Sequence, residues 1–186
     1  MTARRELAWD AVEAELEEQG AAILPGLLTP AACRAIAPPA LQAMGEALRE
    51  RLAPIAARWN EALGITGRGS AGPACALEFT RLREGEHRPL RQDAGDAVFR
   101  LRACLLLGAP GADFAGGELA LVERRPRLQS RPMVLPLCQG DLAVFAANRR
   151  PVEGAAGRRY AVDLKHGVSR VLRGERVAIE FVFAGE

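Results

Sequence analysis

The sequence predicts a mainly β fold, most simply a jelly roll, supported by N-terminal helices. Three observations predict it. Apolar residues recur at helical spacing in the first third of the chain, a run of short strand-like segments fills the rest, and Gly/Pro turns separate those segments. Helices followed by a run of strands form layers around one core, and 186 residues suit one domain. The expected division is helical support over about 1–70 and a jelly-roll core over about 75–184, within a single domain 1–186.

The helical part begins with residues 5–19, where Leu7, Val12 and Leu16 share one face with Trp9 nearby and Gly20 is a natural stop. Residues 21–28 read as a short strand. Thr29-Pro30 matches an N-cap followed by proline at the first helical position, and Pro38-Pro39 is read as the end of that helix. A longer helix is expected over 40–63, divided or kinked by Pro54, before a glycine-rich loop over 64–72. Trp9 and Trp59 are expected to pack helices onto the sheet. Strands are expected at 76–81, 98–107, 118–122, 133–137, 141–145, 160–164 and 176–183. The last alternates as a half-buried strand should, in Ile179-Glu180-Phe181-Val182-Phe183.

Composition excludes several classes. The net charge is +2 and acids are interleaved with the arginines, so no basic stripe marks a nucleic-acid partner. No apolar run is long enough for a membrane helix and the N-terminus has no apolar signal core, which makes the cytoplasm the default location. Cys33, Cys75, Cys104 and Cys138 form no CxxC pair and read as buried reduced thiols. The clusters Arg124-Arg125-Pro126-Arg127 and Arg149-Arg150-Pro151 read as solvated loops, with gripping of an anionic substrate as the functional alternative.

Only two histidines exist, His87 and His166. His166 ends a strand in Val162-Asp163-Leu164-Lys165-His166-Gly167, and Arg176 opens the next. A histidine and an arginine at that offset bring a metal ligand and an anion clamp to one mouth of a barrel, because a guanidinium binds a carboxylate with two parallel hydrogen bonds. By itself the spacing is a weak signal that more often marks a turn histidine and a surface arginine.

Further motifs carry a family resemblance. In order they are Asp113-Phe114-Ala115-Gly116-Gly117-Glu118, Arg124-Arg125-Pro126-Arg127-Leu128-Gln129-Ser130-Arg131 and His166-Gly167-Val168-Ser169, preceded by Arg58-Trp59-Asn60-Glu61-Ala62-Leu63. From about Pro89 to Phe183 the chain resembles the bacterial Fe(II)/2-oxoglutarate-dependent oxygenases of the prolyl-hydroxylase-like superfamily. The resemblance implies a double-stranded β-helix with Fe(II) held by two histidines and a carboxylate, and 2-oxoglutarate as cosubstrate. It assigns His166 and Asp93 as metal ligands and Arg176 as the residue that binds the cosubstrate carboxylate. It names no catalytic residue beyond that metal and cosubstrate site.

The chain departs from the pattern at one ligand. Arg91 stands where the first histidine belongs, in Arg91-Gln92-Asp93. A guanidinium stays protonated and has no lone pair for a metal. An Arg91–Asp93 salt bridge is expected to fill the place, since residues two apart on a strand share a face. His87 lies four residues earlier, about 13 Å away along an extended chain, and reads as a loop histidine near the mouth. Asp163 and Glu118 are alternative carboxylates, Glu118 more simply supporting the turn. Ala178 stands where relatives often carry a hydroxyl, and segments 33–40 and 64–74 are shorter than in relatives.

Two functional readings follow. In the first, the chain is a 2-oxoglutarate/Fe(II)-dependent dioxygenase that hydroxylates a small-molecule or peptide substrate, with an impaired metal site. In the second it is an inactive descendant, a metal-free carboxylate-binding or protein-interaction module. No nucleic-acid or membrane partner is expected under either.

Overall fold

Gly20 ends the first helix with a left-handed φ of 77°, and the chain turns directly into a strand. In the computed structural model, which describes residues 9–66, 74–93, 99–125, 129–154, 157 and 159–184, this helix is α1 (Trp9–Gln19) and the strand is β1 (Ala21–Leu24). The predicted helical residues 5–8, residues 67–72 of the predicted loop, Val98 of a predicted strand and Pro126-Arg127-Leu128 lie outside the described residues.

Helix α2 (Pro30–Ala35) is capped as its sequence predicts. Thr29 accepts a hydrogen bond from the Ala32 amide, and Pro30 takes the first turn. Pro38-Pro39 does not close that helix, which has already ended at Ala35. The pair opens α3 (Pro38–Ala62), because proline in a first turn forfeits only amides that have no helical partner anyway. Pro54 does not divide α3, which continues as one element to Ala62.

Helix α3 buries Leu41, Leu48, Leu52, Ile55 and Trp59 along one stripe. The indole of Trp59 donates to Glu17 at 2.9 Å, tying α3 to α1. Gly45 lets this helix approach closely: a Cβ there would stand 2.5 Å from Cys75 Sγ and 2.8 Å from Phe181. None of the described helices is long and apolar enough to cross a membrane.

The strands are β2 (Cys75–Arg83), β3 (Arg88–Arg91), β4 (Leu101–Leu106), β5 (Phe114–Gly116), β6 (Leu119–Arg125), β7 (Gln129–Leu135), β8 (Leu142–Ala146), β9 (Arg149–Glu153), β10 (Arg159–Val168) and β11 (Val171–Phe183). They form two antiparallel sheets. One runs β1-β8-β4-β11-β2 with β5 on β11, and the other runs β3-β10-β6-β7 with β9 on β10. This is the jelly roll expected from the sequence, its two sheets facing each other over Leu106, Leu121, Phe145 and Leu164. Strands β3, β5 and β9 were not legible beforehand; each has five residues or fewer, and Pro89 and Pro151 break the strand pattern in two of them.

Two expectations about burial are corrected. β11 is not half-buried: all of Ala178, Ile179, Glu180 and Phe181 are buried, since one face meets the opposite sheet and the other meets α3. Three of the four cysteines are buried, but Cys138 is exposed.

Candidate functional site

Register decides which side chains meet. On β11, Arg176, Ala178 and Glu180 share the inner face. Across the sheet Glu180 pairs with Glu78 of β2 and Cys104 of β4, Ala178 with Thr80 and Leu106, and Arg176 with Leu82. One end of this face is therefore charged and the other largely apolar.

At the charged end the second sheet contributes Arg88, Arg91 and His166. Arg91 and His166 are register partners on β3 and β10. Arg91 Nε donates to His166 Nε2 at 3.2 Å, and its Nη2 donates to Glu180 Oε2 at 2.9 Å. Arg102 donates from Nε to Asp93 Oδ2 at 2.6 Å and from Nη1 to Glu180 Oε2 at 3.3 Å. Arg88 reaches the other oxygen of Glu180 at 3.4 Å, and Glu78 lies within 3.8 Å of all three guanidinium groups. Three arginines thus face three carboxylates, and the cluster balances its own charge. Glu180 is its anchor, with a side chain only 4% exposed and held by charge-assisted bonds.

His166 is buried against the Phe145 ring, with ring centroids 5.2 Å apart. Burial lowers its pKa to about 4; Asp93 opposes the shift, and Arg102, Arg91 and Arg88 reinforce it. The imidazole is therefore neutral at pH 7. Because Nε2 accepts from Arg91, the proton belongs on Nδ1, which is buried without a partner.

The expected Arg91–Asp93 bridge is replaced by Arg102–Asp93 and Arg91–Glu180. The reason is local: β3 ends at Arg91, and Asp93 has left the strand to donate its amide to Ala147 O, so the two-residue rule does not reach it. Arg102 is kept firmly protonated: burial opposes this, but the Asp93 bond and the nearby Glu78 and Glu180 outweigh it. His87 is exposed in the turn before β3. Asp163 is taken by Gln92 and Arg149, and Glu118 bonds Ser169 across the turn. Gly116 and Gly117 hold positive φ there.

At the other end lies Arg176, 2% exposed. Its Nη2 sits 3.9 Å from Cys104 Sγ, its Nε has no partner, and it forms no ion pair among the described residues. It borders a chamber of about 440 Å³ with Leu106, Phe114, Leu119, Leu135 and Leu137 among the walls. A second, polar cleft of about 400 Å³ opens beside Asp93, between Gln92, Asn148, Arg149 and Asp163.

The arginine cluster expected to be a solvated loop is partly interior. Arg150 lies on β9, fully buried, and bonds Glu123 at 2.6 Å while donating to the carbonyls of Glu17 and Glu18 at the end of α1. This is a structural brace. Sequence reasoning also missed Glu78, Arg88, Arg102 and Glu180. Their available signal was a charge between apolar neighbours, as in Leu101-Arg102-Ala103 and Ile179-Glu180-Phe181, which alternation assigns to the solvent face.

Comparison with known proteins gives the family. Residues 74–185 match the family model Oxygenase-NA, described as an oxygenase catalysing oxidative methylation of damaged DNA. That description names DNA, a partner not expected from the sequence. Two relatives from Mycobacterium tuberculosis, the uncharacterized proteins MT2286 and Rv2227, are each 32% identical over 157 residues, covering 77% of this chain and 67% of theirs. Among solved structures, an oxidoreductase of the 2OG-Fe(II) oxygenase family from Burkholderia pseudomallei superposes with a TM-score of 0.58 at 17% identity, over 99% of this chain and 93% of that one. A prolyl-4-hydroxylase from Pseudomonas putida gives 0.54 at 17% identity, over 96% and 95%. At such identities the likeness is one of fold.

Fe(II) and 2-oxoglutarate are the cofactors that go with these oxygenases, but the donor set does not suit iron. Among the described residues, no three His, Cys, Asp or Glu side chains are grouped to hold a metal ion. The Nε2 lone pair of His166 already accepts from Arg91, and Asp93 is held by Arg102. Arg176, a buried cation with free bonding capacity, does suit a carboxylate. The match over residues 74–185 and the shared jelly roll place this chain in the Oxygenase-NA family, on the fold of the prolyl-hydroxylase-like 2-oxoglutarate/Fe(II) oxygenases.

Proposed function

We propose that this chain is a member of the oxygenase family that no longer binds iron and serves as a metal-free carboxylate-binding protein. The observation that carries this reading is the 3.2 Å bond from Arg91 Nε to His166 Nε2. The lone pair a metal would need is occupied by a side chain that cannot be deprotonated at neutral pH. Arg91 then stands in the place of the first iron-ligand histidine, and Asp93 and His166 are the two remaining members of that set. The self-neutralised cluster supports the same reading, because its three carboxylates are already engaged by three arginines and leave no net negative charge to hold a dication. Arg176 keeps its role as the carboxylate-binding residue.

The test is calorimetric titration of wild type and Arg91→His with Mn(II), and with Fe(II) under anaerobic conditions, each with and without 2-oxoglutarate. The expected result is no metal binding by wild type and measurable binding by Arg91→His. Metal and 2-oxoglutarate binding together to wild type at micromolar concentrations would overturn the proposal. It would put first the reading favoured by the family match itself, a working dioxygenase that hydroxylates an organic substrate. Titrating an alkylated DNA duplex into the same protein extends the test to the substrate named for the family.

A further inference from the structure

We infer that the chamber beside Arg176 binds an apolar monocarboxylate, an aliphatic or aromatic acid, with Arg176 as its charge partner. This deepens the metal-free carboxylate reading and rests on it. The first observation is the state of Arg176. Arg102 and Arg150 are also buried, and each has a carboxylate. Arg176 is equally buried, has no ion pair among the described residues, and has only a 3.9 Å contact with the Cys104 thiol for company while its Nε stays unbonded. A buried guanidinium without a counter-charge is expensive, and an incoming carboxylate supplies what the chain does not. Gly117 makes room for the arginine stem, since a Cβ there would lie 3.0 Å from Arg176 Cδ.

The chamber sets the rest of the ligand. Its volume, about 440 Å³, falls within the range of small-molecule sites, about 300–1,000 Å³. Its walls are mostly leucine, phenylalanine, proline and glycine, and among the described residues Glu118 is the only charged one lining it besides Arg176. One cation within apolar walls fits one carboxylate on an apolar body. A second carboxylate would meet no second cation and would be repelled by Glu118. None of Arg91, Asp93, His166 and Glu180 lines this chamber, so a ligand that reaches Arg176 here does not contact the charged cluster.

Octanoate titrated into the full chain in EDTA, by calorimetry, tests the inference. Binding is expected for wild type. Arg176→Met should weaken it at least about tenfold. Leu137→Trp, at the half-buried rim, should weaken it by filling the chamber while leaving Arg176 in place; it serves as the independent variant if Arg176→Met does not fold. Octanoate binding unchanged by both Arg176→Met and Leu137→Trp would overturn the site. If 2-oxoglutarate binds in EDTA more tightly than octanoate, the monocarboxylate class is wrong while the metal-free reading stands. If neither acid binds in EDTA but 2-oxoglutarate binds with Mn(II), both fall.

Discussion

Arg102 holds Asp93 through a 2.6 Å contact between Nε and Oδ2, and the same guanidinium holds Glu180 through Nη1. The candidate carboxylate ligand is therefore restrained by a residue on β4 and not by the arginine two positions before it in sequence. Restoring a histidine at position 91 frees His166 but not Asp93. Mn(II) should bind Arg91→His weakly, and Arg91→His/Arg102→Met at least about tenfold more tightly, as expected when a restraint on a ligand is released. Equal affinities in parallel titrations would mean that Arg102 does not restrain Asp93.

Glu180 is the anion around which Arg88, Arg91 and Arg102 gather. Glu180→Gln leaves those cations short of one charge in a buried place. The expected cost is about 3–5 kcal/mol in urea unfolding, the range for breaking a buried pair from one side. A cost below about 1 kcal/mol would show the cluster to be solvated.

Glu123 gives the pH prediction. Burial alone would raise its pKa, but bonds from Arg125 and Arg150 outweigh that and hold it below the usual carboxylate value of 4.5. A group whose folded pKa is depressed contributes stability that is present above its unfolded pKa and lost as pH falls through the folded one. The stability difference between wild type and Glu123→Gln should therefore be full at pH 7 and shrink as pH falls below about 4.5. A difference that stays constant with pH would remove the ion pair as its cause.

Gly45→Ala should lower the melting temperature despite alanine's better helix propensity. The added Cβ would meet Cys75 Sγ at 2.5 Å, an overpacking cost of about 1–3 kcal/mol against a helix gain of about 1. Cys75→Ala in the same chain should recover part of the loss by removing the sulfur. A melting temperature at or above wild type in the single variant would mean that α3 has room to shift.

Thr80→Val is expected to raise stability by up to about 1 kcal/mol, because an isosteric methyl replaces a buried hydroxyl that bonds nothing. Chemical denaturation without added acid measures it. Destabilisation would reveal a partner for that hydroxyl in the free protein.

Much of the fold was legible because its signals are local. The Thr29-Pro30 cap, the helical stripe through Leu48, Leu52 and Ile55, and the apolar segments of β4, β8 and β11 are each set by neighbours within a few residues. Proline was ambiguous: Pro38-Pro39 opens a helix instead of closing one, since both places tolerate a missing amide hydrogen. Arg150 was misread because a charge beside a proline has no local sign of burial. Its partner Glu123 and the α1 carbonyls lie far away along the chain.

The sequence by itself determined the jelly roll, the family motifs and the arginine at position 91, all properties of short segments or single residues. Tertiary structure alone decided what that arginine does. Its partners Glu78, His166 and Glu180 come from three other strands, and strand register, not spacing along the chain, brings them together. The same register leaves Arg176 buried without a counter-charge among the described residues, because the cross-strand neighbour it meets is Leu82 and not an acid.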